Sequence, residues 1–157
     1  MPDYQRSTEA LTLGGLPEAI RAAIRDRAGS RQLTIADDAP AYLTHSVKLK
    51  KSGLFSRMTK TADADREHDT ALVLGPKDVY VCTSGEHRGI SVLVARLEDV
   101  HLDDLGGLLD AKDGMSVNGF PVSAEEARGS LYVGLGAPAG EDARRALEDA
   151  IRRAKAG

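Results

Sequence analysis

The sequence contains no tryptophan, a single cysteine, two phenylalanines and four tyrosines, so aromatic residues make up only 4% of its 157 positions. A core in this chain must therefore be built mainly from Val, Leu, Ile and Ala. The lone thiol, Cys82, cannot form an intramolecular disulfide, which suits a reducing cytosol. Charge of one sign is not in excess either: 21 Lys plus Arg stand against 24 Asp plus Glu, a net charge of −3. That balance excludes a globally basic nucleic-acid binder. No apolar run approaches the ~20 residues of a membrane-spanning helix, and Met1–Arg6 has no cationic-then-apolar leader pattern. A cytoplasmic protein is the expectation. The sequence also lacks a phosphate-loop lysine, a Gly-x-Ser-x-Gly elbow, a Cys-x-x-Cys pair and an HExxH pair. No catalytic residue, metal ligand or cofactor is assigned, and an enzyme is not expected.

What is present is the composition of one globular domain, 41% hydrophobic and 29% charged. A chain of this length can bury roughly 70% of its unfolded surface. Leu16, Ile20, Ala23, Ile24 and Ala28 share one helical face behind Pro17, and Gly29-Ser30 supplies a left-handed cap. From Ala41 the period falls from about 3.6 to 2. Leu43, His45, Val47 and Leu49 alternate with Tyr42, Thr44, Ser46 and Lys48, the mark of a half-buried strand. Further strands are expected over Thr70–Leu74, Val79–Thr83, Ile90–Ala95 and Leu131–Leu135, with a less regular one across Leu97–Leu105. Asn118-Gly119, between Met115, Val117, Phe120 and Val122, predicts a two-residue hairpin. The last helix is the clearest element: Ala143, Ala146, Leu147, Ala150, Ile151 and Ala154 form a stripe. Glu141 and Asp142 open it and Arg152, Arg153 and Lys155 close it, matching the helix dipole.

Helix, about seven short strands and helix is an order that excludes a parallel sheet, which needs helices between its strands. The reading is α+β: a small, partly open antiparallel β-barrel capped by the C-terminal helix, with an extra N-terminal helix. Residues 1–40 form an N-terminal extension with that one amphipathic helix, and 41–157 the barrel with its cap. Three stretches carry a family likeness. They are Tyr42-Leu43 with Lys48–Phe55, Asp69–Val81 with its Gly75-Pro76-Lys77-Asp78 turn, and Ile90–Val100. Together they resemble the bacterial pleckstrin-homology-like (PH-like) domains over roughly Ala41–Ala156. The resemblance implies a barrel sealed by the last helix and a non-catalytic binding module. It also implies that basic residues of the first strand, its loop and the second strand clasp anionic headgroups.

The residues themselves point the same way. Between Ala39 and Ala62 there is no acidic residue, but there are Lys48, Lys50, Lys51, Arg57 and Lys60. Ammonium and guanidinium groups converging at a barrel mouth suit anionic ligands. Leu54 and Phe55 among them offer an apolar tip for a lipid interface. An anionic lipid headgroup or a protein partner is the expected ligand, at the inner face of the membrane in the first case. The plain alternative is a solvated loop whose lysines protect a strand edge. A different function altogether is a protein-interaction or oligomerisation module using an exposed strand edge and the N-terminal helix. Acidic residues at Glu98, Asp99, Asp103, Asp104, Asp110 and Asp113 make the chain dipolar, compatible with a homo-oligomer.

Other constellations are weaker. Counting from Asp63, the sixth and twelfth places of a calcium loop hold His68 and Leu74, so that pattern fails. Gly134–Gly140 is glycine-rich between a strand and a helix, but Pro138 lacks an amide and no second strand follows, leaving a connecting turn. Cys82 sits within an apolar strand and reads as a buried, inert thiol.

Overall fold

The computed structural model describes residues 4–48, 67–102, 114–121 and 128–156. Its elements are β1 (Tyr4–Thr12), α1 (Glu18–Ser30), β2 (Pro40–Lys48), β3 (Glu67–Leu74), β4 (Asp78–Gly85) and β5 (Gly89–Arg96), then β6 (His101–Leu102), β7 (Gly114–Pro121), β8 (Arg128–Gly134) and α2 (Gly140–Ala156). Short 3-10 turns follow β1 at Leu13–Gly15 and β5 at Leu97–Asp99. The fold is α+β. Strands β1-β2-β3-β4-β5 form one antiparallel sheet and β6-β7-β8 a second.

Both faces of the five-stranded sheet are covered, which explains why Ala71–Leu74 and Val79–Cys82 are apolar without interruption. On one face Leu72, Leu74, Val79, Val81 and Ala95 pack with Val117, Phe120 and Val133 of the second sheet and Leu147 and Ile151 of α2. On the other, Ala71, Val73, Tyr80, Cys82 and Val94 pack with Leu13, Leu16, Ile20, Ile24 and Ala28. The layers are therefore α1, the large sheet, and then the small sheet with α2. Ala143, Leu147, Ala150 and Ile151 are the buried stripe of α2, as its periodicity requires.

Four expectations are corrected. The strands do not roll into one barrel: among the described residues no ladder joins the two sheets. The 3-10 turn at Leu97–Asp99 leads the chain out of the first sheet, and its Leu97 amide is bound to the Lys77 carbonyl at 2.9 Å. Nor is there an extra helix ahead of the sheet. The helix over Glu18–Ser30 lies between β1 and β2, and its stripe is part of a core. Before it stands β1, a strand whose composition announces no alternation, held to β2 over nine residue pairs. The left-handed position at the end of α1 is not Gly29 but Gln32 (φ 57°), because the helix runs on until the Leu33 amide can reach the Ala28 carbonyl at 2.8 Å.

Finally, Asn118-Gly119 makes a β-bulge inside β7 rather than a hairpin. β7 is the central strand of its sheet, and Asn118 pairs with both His101 and Ser130. Gly119 supplies the left-handed backbone, φ 104°, and admits the Asp99 carbonyl where a Cβ would collide with it.

Candidate functional site

Along the face of the large sheet that meets the small sheet, register sorts the side chains into rows. One such row is Ala10, Tyr42, Leu72, Val81 and Leu93. Burial raises the Tyr42 phenol above its ordinary pKa, and the Asp142 carboxylate adds to this. Two residues along each strand comes a row of hydroxyls across all five strands: Thr8, Thr44, Thr70, Thr83 and Ser91. Thr8, Thr44 and Thr70 are buried. The Thr8 and Thr44 hydroxyls share a 2.7 Å hydrogen bond, and the Gly136 amide donates to Thr8 Oγ1 at 2.9 Å. A buried hydroxyl without such partners would cost about 1–3 kcal/mol.

The next row is Arg6, Ser46, His68, Gly85 and Gly89. Arg6 is half-buried and held from several sides. Its Nε donates to Ser46 Oγ at 3.2 Å, and its guanidinium carbon lies 5.8 Å from the centroid of the Tyr132 ring. Gly134 and Gly136 make the space: a Cβ at the first would meet the guanidinium, and at the second the Arg6 carbonyl. Beyond this row β2 ends on Lys48, directly opposite Tyr4. One surface therefore grades from aliphatic to hydroxyl to cationic, with Arg6 fixed at the corner between the sheets. A guanidinium and an ammonium beside hydroxyls can receive a phosphoryl or carboxylate oxygen.

Of the five basic residues singled out from sequence, Lys48 stands at this end of β2, half-buried. Lys50, Lys51, Arg57 and Lys60 lie outside the described residues, as do Leu54 and Phe55. The grouping of Arg6 with Ser46, His68 and Tyr132 one row from Lys48 was not legible in the sequence. The one available signal was the glycine spacing at 134 and 136, which reads as a turn and does serve as the link from β8 to α2.

The opposite face carries a row that superficially resembles a catalytic triad: Ser7, His45, Asp69 and Ser84. His45 Nδ1 is 2.7 Å from Asp69 Oδ1, but its Nε2 lies 3.5 Å from Glu67 Oε2. The imidazole is thus aimed at a second carboxylate on an exposed surface rather than at a hydroxyl. Cys82 is fully buried on the α1 side, and burial pushes its thiol up to about 11. Among the described residues no three His, Cys, Asp or Glu side chains group as metal ligands, and no helix is long and apolar enough to cross a membrane. The chain matches no protein-family model, no curated protein and no solved structure.

Proposed function

We propose that this chain is a non-catalytic, PH-like binding module that docks on an anionic membrane surface through the end of the sheet where β2 delivers Lys48. The observation that carries the reading is the buttressed Arg6, placed by Ser46, Tyr132, Gly134 and Gly136 one row from Lys48. A half-buried guanidinium held in this way loses little rotamer freedom when it meets an anion. Lys50, Lys51, Arg57 and Lys60 follow within twelve residues of Lys48 and extend the same charge. Each Lys or Arg near an anionic surface contributes about 1 kcal/mol.

The test is sedimentation with phosphatidylcholine vesicles with and without phosphatidylserine. Binding is expected only to the anionic vesicles, reversed by salt. It should be lost in the Lys48→Glu, Lys50→Glu, Lys51→Glu triple variant and weakened by Arg6→Ala. Sedimentation that ignores these reversals, or none at all, ends the membrane reading.

A second reading, an interaction module working through a strand edge, rests on the outer half of β5. Gly89, Ile90 and Ser91 are exposed at the sheet margin, Ile90 by 43%. The stripe of α1 takes no part in it, since Ile20, Ile24 and Ala28 are buried in the core. Light scattering on a size-exclusion column separates the two: a salt-insensitive dimer favours the edge.

A further inference from the structure

The strands have a second end, and it carries a cleft. Leu74, Gly75 and Pro76 at the end of β3, Leu97 in the 3-10 turn, Pro40, and Ala150 and Ala154 of α2 enclose about 700 Å³, open along one side. Leu74, Leu97 and Ala150 form a nearly buried apolar floor. The cleft exists because α2 presents alanines at 150 and 154, whose small side chains leave room that Leu or Ile would fill. Its first wall is rigid: the Gly75 amide donates to the Asp78 carbonyl at 2.8 Å and the Leu97 amide to the Lys77 carbonyl at 2.9 Å. The second wall is the last two turns of α2.

Cations stand on both walls, Lys77 and Arg96 on one and Arg153 on the other, with Glu98 the one carboxylate in the lining. Glu98 is engaged by Arg96. Along α2, Arg152 is matched by Asp149 and Arg144 by Glu141. Lys77 and Arg153 form no salt bridge among the described residues, and both are exposed. Asp78 pairs in register with Arg96 on the face of β4 that Tyr80 and Cys82 share; burial raises its pKa and outweighs the attraction of Arg96, Arg31 and Lys77 for its carboxylate.

We infer that this cleft docks an acidic peptide segment of a partner protein, with one aliphatic side chain on the Leu74–Leu97–Ala150 floor and flanking carboxylates on Lys77 and Arg153. An enclosed pocket would be needed to hide a lipid tail, since small-ligand sites cover most of their ligand. A cleft open along one side and cationic on both banks suits a chain laid across it, with the apolar anchor supplying affinity and the charges orientation.

The experiment is fluorescence anisotropy of the full chain with a fluorescein-labelled peptide of glutamates flanking one leucine. Its controls are the same peptide with serine in place of leucine, one with lysines in place of the glutamates, and decanoate. Saturable binding of the first peptide is expected, weaker for the serine form and absent for the lysine form. Arg153→Glu and Lys77→Glu should each weaken it about threefold to fivefold, the scale of one exposed ion pair. Ala154→Trp should block it by filling the cleft, and Lys48→Glu at the other end should leave it unchanged. The two charge reversals are at exposed positions and keep the test decisive should the tryptophan variant fail to fold. No saturable binding, affinity indifferent to Arg153 and Lys77, or binding of decanoate without the peptide overturns the assignment.

Discussion

The two ends of the same strands obey one alternation and have opposite chemistry. Where α2 covers the large sheet, positions 72, 74, 79 and 81 are Leu, Leu, Val and Val, closed over by Leu147 and Ile151. Four residues further along, the inward positions of β1, β2 and β3 are Arg6, Ser46 and His68. The backbone register is unbroken between them, so the change is not one of fold. It is a change in what the sheet is made to face: aliphatic packing at one end, and hydroxyls and fixed positive charge at the other. Stability and recognition are thus separated along the strand axis, and substitutions should tell the ends apart.

The largest effect is expected at the packed end. Phe120 is fully buried among Val117, Val133 and α2, and Phe120→Ala should cost about 3–5 kcal/mol in urea denaturation, through lost transfer energy and the cavity left behind. Gly119→Ala comes next. It places a side chain at φ 104° against the Asp99 carbonyl, which should cost about 1–3 kcal/mol and loosen the β6–β7 junction by hydrogen exchange.

At the hydroxyl row the contrast sharpens. Thr44→Val removes the partner of Thr8 without much change of shape and should cost about 1–2 kcal/mol. Thr44→Ser should cost less if the hydrogen bond matters more than the methyl group, and equal losses would assign the row to packing.

Cys82 tests the α1 face. Its thiol is raised to about 11 from an ordinary 9.0, so in the folded state it should resist iodoacetamide at neutral pH and react only on unfolding. The folded protein holds this proton more tightly than the unfolded chain. The associated stability is therefore full below pH 9, and a Cys82→Ala comparison should show it declining as pH rises toward 11.

The smallest stability effect belongs to Lys48→Glu, within about 0.5 kcal/mol for a residue at a strand end, while its effect on vesicle binding should be plain. If Lys48→Glu proves as damaging to folding as Phe120→Ala, the separation of the two ends is wrong.

Much of the order of elements was legible because it depends on local periodicity. The α2 stripe, the turn at Gly75–Asp78 and the strands over Val79–Thr83 and Ile90–Ala95 follow from residues close in sequence. β1 was not legible, since Tyr4–Thr12 mixes Arg6, Ser7, Thr8 and Glu9 with few apolar positions and becomes a strand by pairing with β2. The Asn118-Gly119 pair shows the limit of a local signal. Its backbone preference is for positive φ, which a hairpin and a bulge both satisfy, and the strands on either side chose the bulge. Lys48 was found by charge alone, while its neighbours needed the register to be seen.

An aliphatic core, the α+β alternation of periods and a cation-rich stretch after residue 47 follow from composition and spacing, which are properties of neighbours along the chain. That Thr8 receives the Gly136 amide from 128 residues away, that Arg6 lies beside Ser46, and that two alanines of α2 leave a cleft at the far end are consequences of folding. Periodicity states which side of a strand is turned inward. What waits on that side depends on segments brought together by folding, and their chemistry is written elsewhere in the chain.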